Sequence, residues 1–483
     1  VLDVAIAGGC ETAKQRRVIL WLCPAFLLIQ LLGWLVLGES GVKQIYPIIV
    51  HLPLALILVT VLKRSWGVAI VSTCTAYLCC QPPRWGRIAV EALTQSTLAA
   101  ELVYILLMPV MYYLLRRFFV AAAYNTMTSS TAALLLFGSL PTREQLDDFC
   151  DILAEHRALP EGFMDTMNAP SPNIMNKLQR CVLGLYSYDD RAEDLSLENI
   201  LNQSINLIAS MPTMMVNAYQ MKRRYYDKQS MFFHLPKPGQ STAEHILSTY
   251  RPDQKFTHEE AKLLDMCLLV HADHGGGNCS TFTTRVLSSS GTDTYSAISA
   301  AIGALKGPKH GGANLMVNRQ LQDILKHVEH PEDDDEVREY LRRILRKQAG
   351  DGSGLIYGMG HAVYTISDPR EVILKQRARH LAYEKGFEEE YNMLCSIERL
   401  APDIFAEEKG SSKPVCANVD LFSGLIYRML GISEDLYTPL FAIARVPGWC
   451  AHRVEEVEYA NRIIRPAYKY LGEPQEYLPL EER

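Results

Sequence analysis

The chain has 483 residues, long enough for two or three domains, and 21% of its residues are charged. Its net charge of −6 gives no electrostatic support for nucleic-acid binding, so we predict no nucleic-acid partner. The 12 cysteines form no CxxC pair, which argues against a zinc knuckle or a dithiol redox site, and their scatter suits a reducing cytosol.

The first 125 residues contain most of the long apolar runs of the chain. Residues 18–38 carry no charge and are long enough to cross a hydrocarbon core of about 30 Å. Further apolar runs follow at 45–62, 67–80 and 98–115. Flanking basic residues predict about four spans through residues 18–120, with the N-terminus and everything after Arg117 on the cytoplasmic side. The alternative is a signal peptide followed by buried core helices.

After this block the composition is that of a globular protein, and apolar residues recur with helical spacing. Thr142 and Gln145 predict a capping box that opens a helix through Glu155, and Ser241 with Glu244 predicts a second one. Other predicted helical segments are 172–186, 196–210, 334–348 and 369–391. Alternating patterns are scarce, so we predict a mainly α fold.

Two histidines lie in glycine-rich segments. His274 precedes Gly275–Gly277, where a buried helix is predicted to end. His310 follows a Gly-Pro break and precedes a predicted helix at 314–328, so it lies near a helix N-terminus, where the helix dipole disfavours the imidazolium. A neutral histidine there can donate a hydrogen bond to a carbonyl oxygen that is gaining negative charge. The alternative is that both histidines lie in turns, are hydrogen-bonded there and have no chemical role.

A third histidine, His361, follows Gly358-Met359-Gly360 and precedes Asp368-Pro369-Arg370. The guanidinium of Arg370 is suited to a carboxylate, which it can bind through two parallel hydrogen bonds. This segment therefore combines an imidazole with an anion-binding group.

Asp420 is a candidate carboxylate base, with a helix cap as the alternative. Arg445 and Arg465 are each bracketed by apolar residues, a setting in which an arginine usually has a paired anion, either a ligand or a structural carboxylate. A carboxylate base with neutral histidine donors suits removal of a proton α to a carbonyl, and the arginines imply a substrate with carboxylates. No spacing is typical of a metal site.

These motifs together resemble the citrate synthase family over residues 131–470, and look closest to the enzymes of anaerobic, clostridia-like bacteria. The segments that carry the resemblance are Leu134–Thr142, the His274 and His310 blocks, Gly358–Arg370 and Asn418-Val419-Asp420. The resemblance implies condensation of acetyl-CoA with oxaloacetate. CoA and acetyl-CoA would act as substrates, so no cofactor is implied.

Three residues would be catalytic by this resemblance. His310 would hydrogen-bond the thioester oxygen of acetyl-CoA, Asp420 would remove a methyl proton, and His361 would donate to the carbonyl of oxaloacetate. Hydrolysis of citryl-CoA would then release citrate and CoA.

Further residues would bind the substrates. They are His274, Arg370 and Arg445 for oxaloacetate, and Gly358 and Gly360 for CoA. Arg465 matches an arginine that family members lend to the neighbouring subunit's site, so the resemblance implies a homodimer.

The resemblance also implies a large helical domain, formed by residues 131–311 and 432–483, and a small one at 312–431, which close over oxaloacetate. The apolar block replaces a soluble N-terminal segment of the family, either as a real fusion or, as we favour, at a junction of two unrelated reading frames. Two other functions stay open. They are a 2-methylcitrate synthase that uses propionyl-CoA and a membrane-anchored protein that binds its ligand without turnover.

Overall fold

The structure, a computed structural model, describes residues 52–60, 81–97, 99, 102–104, 106–107 and 127–482, except for 362, 411–414, 461, 470 and 474. The chain divides into two compact units, Val1–Asn125 and Thr126–Arg483. The division of the second unit into a large and a small domain stays a prediction.

In the first unit the structure describes two helices, α1 (Leu52–Thr60) and α2 (Gln81–Thr94). Of the four predicted membrane spans, the first and third lie outside the described residues, and the other two are described only in part. Within the described ranges, no helix is both long and apolar enough to cross a membrane. Membrane insertion therefore stays a prediction.

Helices form most of the second unit, which confirms the predicted mainly α fold. They are α3 (Met127–Phe137), α4 (Arg143–Glu155), α5 (Phe163–Met167), α6 (Ile174–Gly184), α7 (Leu197–Tyr225), α8 (Thr242–Tyr250), α9 (His258–His271), α10 (Cys279–Ser288), α11 (Thr294–Leu305), α12 (Ala313–His327), α13 (Asp334–Leu345), α14 (Pro369–Lys385), α15 (Glu388–Lys409), α16 (Asp420–Met429) and α17 (Tyr437–Tyr459). Short 3₁₀ turns lie at Leu185–Tyr188, Glu434–Leu436 and Leu480–Glu482.

Both predicted capping boxes are present. The side chain of Thr142 accepts a hydrogen bond from the main-chain N–H of Gln145, whose side chain accepts one from the N–H of Thr142. The same exchange links Ser241 and Glu244 at the start of α8. Each box satisfies two main-chain donors that a helix N-terminus otherwise leaves unpaired.

Helix α17 is the central element of the second unit, since it packs against α3, α7, α9, α10 and α11. Its buried side chains include Arg445, Trp449 and Arg453. Helix α9 crosses it and then turns into the segment that carries His274. This packing fixes the turn relative to the arginines of α17.

A buried carboxylate joins α9 to α14. Glu260 accepts hydrogen bonds from both terminal nitrogens of Arg251, at 2.8 and 3.1 Å, and from Nζ of Lys385. Arg251 and Lys385 also donate to the carbonyls of Leu430 and Met429, at the end of α16. One carboxylate thereby connects the ends of three helices.

Replacing Glu260 with Gln should lower the free energy of unfolding by about 3 kcal/mol, because the variant leaves two partly buried cations without their anion. Burial raises the pKa of Glu260, but hydrogen bonds from Arg251, Lys385 and Thr257 outweigh it and bring the pKa to about 2. The folded-state pKa lies below the unfolded value of about 4.3. The stabilisation should thus be complete above about pH 4.5 and be lost as the pH falls through about 2.

Thermal unfolding of both proteins across this pH range measures the difference. Glu259→Gln is the matched control, because the Glu259 side chain is 63% exposed and forms a surface ion pair with Lys262 at 3.5 Å, which contributes little to stability. Equal unfolding temperatures for the two variants would contradict the assigned role of Glu260.

Candidate active site

Two segments pair side by side and bring the third histidine block next to the candidate base. Met359 and Ala417 form an antiparallel bridge. The N–H of Gly360 donates to the carbonyl of Cys416 at 2.7 Å, and the N–H of Asn418 donates to the carbonyl of Gly358 at 2.9 Å. The pairing holds the chain just before His361 against the chain just before α16.

Glycine is required at position 358. Its φ is +79°, and a Cβ atom there would lie 2.8 Å from Cδ1 of Leu421 and 2.9 Å from Cγ2 of Val317. Gly360 has a φ of +96° but more room, since the nearest atom to its Cβ position is 4.0 Å away. Gly358 thus allows its segment to approach α16 closely.

The tautomer of His361 is fixed by main-chain donors. Its Nδ1 accepts hydrogen bonds from the N–H groups of Val363 and Tyr364, at 2.9 and 3.0 Å. In a neutral ring the proton is therefore on Nε2. Burial lowers the pKa of His361, and the Arg370 charge lowers it further while Asp368 raises it. The neutral ring therefore carries its proton on Nε2. A terminal nitrogen of Arg370 lies 3.4 Å from Nε2 but forms no hydrogen bond with it in this tautomer, because a guanidinium can only donate.

His310 is held in the same way by a different element. The N–H of Ser280, in the first turn of α10, donates to Nε2 of His310 at 3.2 Å, and Oγ of Ser280 lies 2.9 Å from the same nitrogen. Nε2 is therefore an acceptor, and the proton lies on Nδ1. Burial lowers the pKa of His310 to about 4, and the charge of Arg445 contributes. His310 lies three residues before α12, but its donor comes from the N-terminus of α10.

Asp420 is the first residue of α16, and Val419 takes the N-cap position. Its main-chain N–H donates to Oδ1 of Asn418 at 3.0 Å. Desolvation raises the pKa of the Asp420 carboxyl to about 6, while the charges of Arg370 and Arg445 lower it. This carboxylate is ionised near neutral pH and is a stronger base than an ordinary aspartate.

His274 lies in a cluster of rings at the end of α9. Its ring centroid is 4.9 Å from that of His361 and 6.0 Å from that of Tyr364, and the latter two are 4.6 Å apart. Burial lowers the pKa of His274, followed by the charge of Arg370. Helix α9 ends at His271, earlier than the predicted glycine run, because the Asp273 side chain accepts the N–H of Gly275 and forms a turn.

Arg370 is anchored by the buried carboxylate of Asp368. Its Nε and one terminal nitrogen donate to the two oxygens of Asp368, at 3.0 and 2.7 Å. The Asp368 side chain is fully buried and also accepts the main-chain N–H of Val419 at 3.2 Å. One carboxylate therefore links the candidate substrate arginine to the residue that precedes Asp420.

Arg445 is buried in α17, and its direct hydrogen-bond partner within the chain is a main-chain carbonyl. Its Nε donates to the carbonyl of His271 at 2.6 Å, and its guanidinium lies 4.8 Å from the ring centroid of Phe441. Burial lowers the pKa of Arg445 to about 10, so it stays charged at neutral pH. The charges of Asp273 and Asp420 favour the charged form of this guanidinium and so oppose the effect of burial on its pKa.

The charge of Arg445 reaches three of the candidate residues. Burial is the largest cause of each pKa shift. The charge of Arg445 lowers the pKa of His310 and of His274 further, and it opposes the rise in the pKa of Asp420. Arg370 acts in the same way on His274, His361 and Asp420. Residues from five separated parts of the sequence therefore share one electrostatic environment.

Comparisons with known proteins point to one family. The family model described as "Citrate synthase, C-terminal domain" matches residues 118–467. A citrate synthase of Haloferax volcanii is 36% identical over 363 residues, which cover 72% of this chain and 87% of that protein. A 2-methylcitrate synthase of Corynebacterium glutamicum is 34% identical over 358 residues, which cover 72% and 86%.

The solved structures agree. The ternary complex of carboxymethyl coenzyme A and oxaloacetate with the citrate synthase of Thermoplasma acidophilum has a TM-score of 0.63 and 28% sequence identity, and it covers 75% of this chain and 90% of its own. The chain belongs to the citrate synthase family. The resemblance inferred from the motifs, the citrate synthase fold and the prediction of an acyltransferase of this family are thus confirmed.

The sequence does not point to three residues that support the candidate site of this citrate synthase family member. Ser280 fixes the tautomer of His310, Asp368 anchors Arg370, and Tyr364 contacts both His274 and His361. Asp368 has a sequence signal, because an aspartate before Pro-Arg at a helix start is a typical N-cap. Ser280 has none, since its role depends on where a second helix points.

Arg465 differs from the other candidates. It lies exposed in an irregular segment after α17, and the paired anion that its apolar neighbours favour stays a prediction. Nearby, Ile464 is partly buried and donates its N–H to Oγ of Ser289 at 3.0 Å, whereas Ile463 is 56% exposed. The apolar neighbours thus do not bury this arginine within the single chain.

Replacing Gly358 with Ala should lower kcat by about a hundredfold, because a displacement of about 1 Å at a catalytic group has this effect. The added Cβ collides with Leu421, one residue after Asp420. Gly352→Ala is the matched control, since Gly352 has a similar φ of +73° and nothing within 4 Å of its Cβ position. Equal rates of CoA release by the two variants would mean that the collision does not reach the base.

Proposed function

We propose that this chain condenses acetyl-CoA with oxaloacetate, and that hydrolysis of the citryl-CoA thioester releases citrate and CoA. The observation that carries the proposal is the hydrogen bond from the N–H of Ser280 to Nε2 of His310. It leaves Nδ1–H of a neutral imidazole as a donor for the thioester oxygen. Asp420, with its raised pKa, supplies the base.

In the first step Asp420 takes a proton from the methyl group of acetyl-CoA. The negative charge moves to the thioester oxygen, which the Nδ1–H of His310 stabilises as an enol or enolate. A neutral donor suits this role, because burial keeps the pKa of His310 at about 4 and the ring does not become cationic at neutral pH.

In the second step the enol carbon attacks the ketone of oxaloacetate. The Nε2–H of His361 donates to the ketone oxygen as it gains negative charge, since Nδ1 of this ring is occupied by two main-chain donors. His274, Arg370 and Arg445 bind the oxaloacetate carboxylates. The loop with Gly358 and Gly360 lies beside α16 and lines the CoA site.

Four further assignments belong to this proposal. The chain acts as a homodimer, in which the exposed Arg465 completes the site of the neighbouring subunit. Residues 312–431 form a small domain that closes on the rest of the second unit and excludes water. The catalytic part is cytoplasmic. If residues 18–120 belong to the natural protein, they insert into a membrane.

Replacing Asp420 with Asn should lower kcat by about 10²–10⁴-fold, the range for loss of a general base. Oxaloacetate affinity should be unchanged, because the arginines and His274 remain. CoA release with acetyl-CoA and oxaloacetate measures turnover, and calorimetry measures oxaloacetate binding. Asp334→Asn is the matched control, since Asp334 is also the first residue of a helix but pairs with Arg399 at the surface.

An unchanged kcat in Asp420→Asn would show that Asp420 is not the base. Oxaloacetate binding by the wild type without any CoA release would favour a binding protein over an enzyme. Propionyl-CoA in the same assay separates the two condensations. We expect the higher kcat/KM with acetyl-CoA.

The pH profile offers an independent test. Burial raises the pKa of Asp420 to about 6, and the base must be ionised to act. kcat/KM should therefore rise about tenfold per pH unit up to about pH 6 and then level off. His310 should add no second limb in this range, since its pKa is about 4. A profile that is flat from pH 4.5 to 8 would contradict the assignment of Asp420 as the base.

A further inference from the structure

One face of α17 contacts the turn that carries His274. Arg445, Gly448 and His452 are spaced by three and four residues, so they lie in one row along this helix. Arg445 donates to the carbonyl of His271 at 2.6 Å. This row therefore begins where α9 ends.

Gly448 lets the turn lie directly on α17. A Cβ atom at this position would be 2.4 Å from the carbonyl oxygen of Ala272 and 3.0 Å from Oδ1 of Asp273. Any side chain here would displace the turn. The main chain just before His274 is thus in contact with the helix.

His452 holds the next residue of the turn. Its Nε2 is 3.2 Å from Oδ1 of Asp273, and its Nδ1 is 3.4 Å from a carboxylate oxygen of Glu455. Oδ2 of Asp273 accepts the N–H of Gly275 at 3.0 Å. Asp273 therefore binds α17 with one oxygen and the main chain beyond His274 with the other.

The far side of the turn is enclosed as well. A Cβ atom on Gly276 would lie 3.5 Å from Cε1 of His452 and 3.2 Å from a terminal nitrogen of Arg285. Arg285 is in turn fixed by a 3.0 Å hydrogen bond to Glu456 on α17. The main chain on both sides of His274 thus rests on groups from α17 and α10.

We propose that His452 and Asp273 are positioning residues that hold His274 where it binds oxaloacetate. The proposal rests on the proposed function, because it assigns His274 to that substrate. The His274 side chain contacts two other rings of the candidate site, those of His361 and Tyr364. The position of His274 is therefore set by its main chain, which His452 and Asp273 fix.

Replacing His452 with Leu tests this role. A hydrogen bond to a charged group is worth enough to change an equilibrium about tenfold or more, so we expect the Kd and KM for oxaloacetate to rise about tenfold. The KM for acetyl-CoA should stay within about twofold, because His310 is held independently by Ser280. His452→Gln should restore most of the affinity, since its amide nitrogen can reach Asp273.

His380→Leu is the matched control. His380 also lies on a helix beside a carboxylate, 3.6 Å from Glu384, but its side chain is 65% exposed and distant in sequence from the site residues of α17. This variant should leave both KM values unchanged. Thermal unfolding of all variants shows whether each remains folded.

The proposal is overturned if His452→Leu leaves oxaloacetate affinity unchanged, if it raises both KM values equally, or if Gln restores nothing. Calorimetric titration with oxaloacetate separates this inference from the proposed function. If the wild-type protein binds oxaloacetate without releasing CoA, the proposed enzymatic function is contradicted. Comparing the oxaloacetate Kd of the wild type and His452→Leu by calorimetry still decides the role of His452. Wild type that binds no oxaloacetate overturns both.

Discussion

The hydrogen bond from the main-chain N–H of Ser280 to Nε2 of His310 is the interaction on which the site depends. A main-chain N–H can only donate, and it does not titrate, so it imposes the acceptor role on the nitrogen that it faces. The proton of the neutral ring is then on the other nitrogen. Because the donor belongs to the first turn of α10, the helix dipole adds to burial in opposing a positive ring. His361 obeys the same rule through two donors of its own segment.

The groups of the site fall into two rigid sets. Asp368 binds Arg370 and the N–H before Asp420, and the paired segments place His361 beside them. The other set is built on α17, which fixes Arg445 and the turn of His274. The predicted small domain contains the first set, and the predicted large domain contains the second. A closing motion between them would leave the geometry within each set intact and change only the distance between the sets.

The sequence predicted those features that depend on local chemistry. The capping boxes at Thr142 and Ser241 were predicted because a hydroxyl and an acceptor three residues later satisfy each other's donors. The single segment predicted at 369–391 is instead two helices, because Gly386 adopts a φ of +76° and ends the first. In contrast, α7 continues past the predicted end at Ser210 and through Pro212, since its flanking residues are buried and tertiary packing outweighs the missing hydrogen bond.

Within the candidate site, the motifs identified the proposed reacting groups but not the residues that hold them. His310 and His361 stand out because an imidazole among glycines is unusual in a packing motif, and Asp420 stands out through the Asn418-Val419-Asp420 motif of the family resemblance. Ser280 and His452 do not, since their roles arise only when a second helix brings them to the right atom. Partner identity is likewise a tertiary property, since the sequence does not indicate that Nε of Arg445 donates to the main-chain carbonyl of His271.

That carbonyl has a consequence for substrate binding. A carbonyl oxygen fixes the orientation of a guanidinium but carries no full charge, so the positive charge of Arg445 is only partly compensated in the described chain. Burial of such a charge is unfavourable, as the lowered pKa of about 10 indicates. Arg370, by contrast, has its own carboxylate in Asp368. In the proposed mechanism, a carboxylate of oxaloacetate would therefore gain more from Arg445, whose charge has no carboxylate hydrogen-bonded to it in the described residues, than from Arg370, which it would share with Asp368.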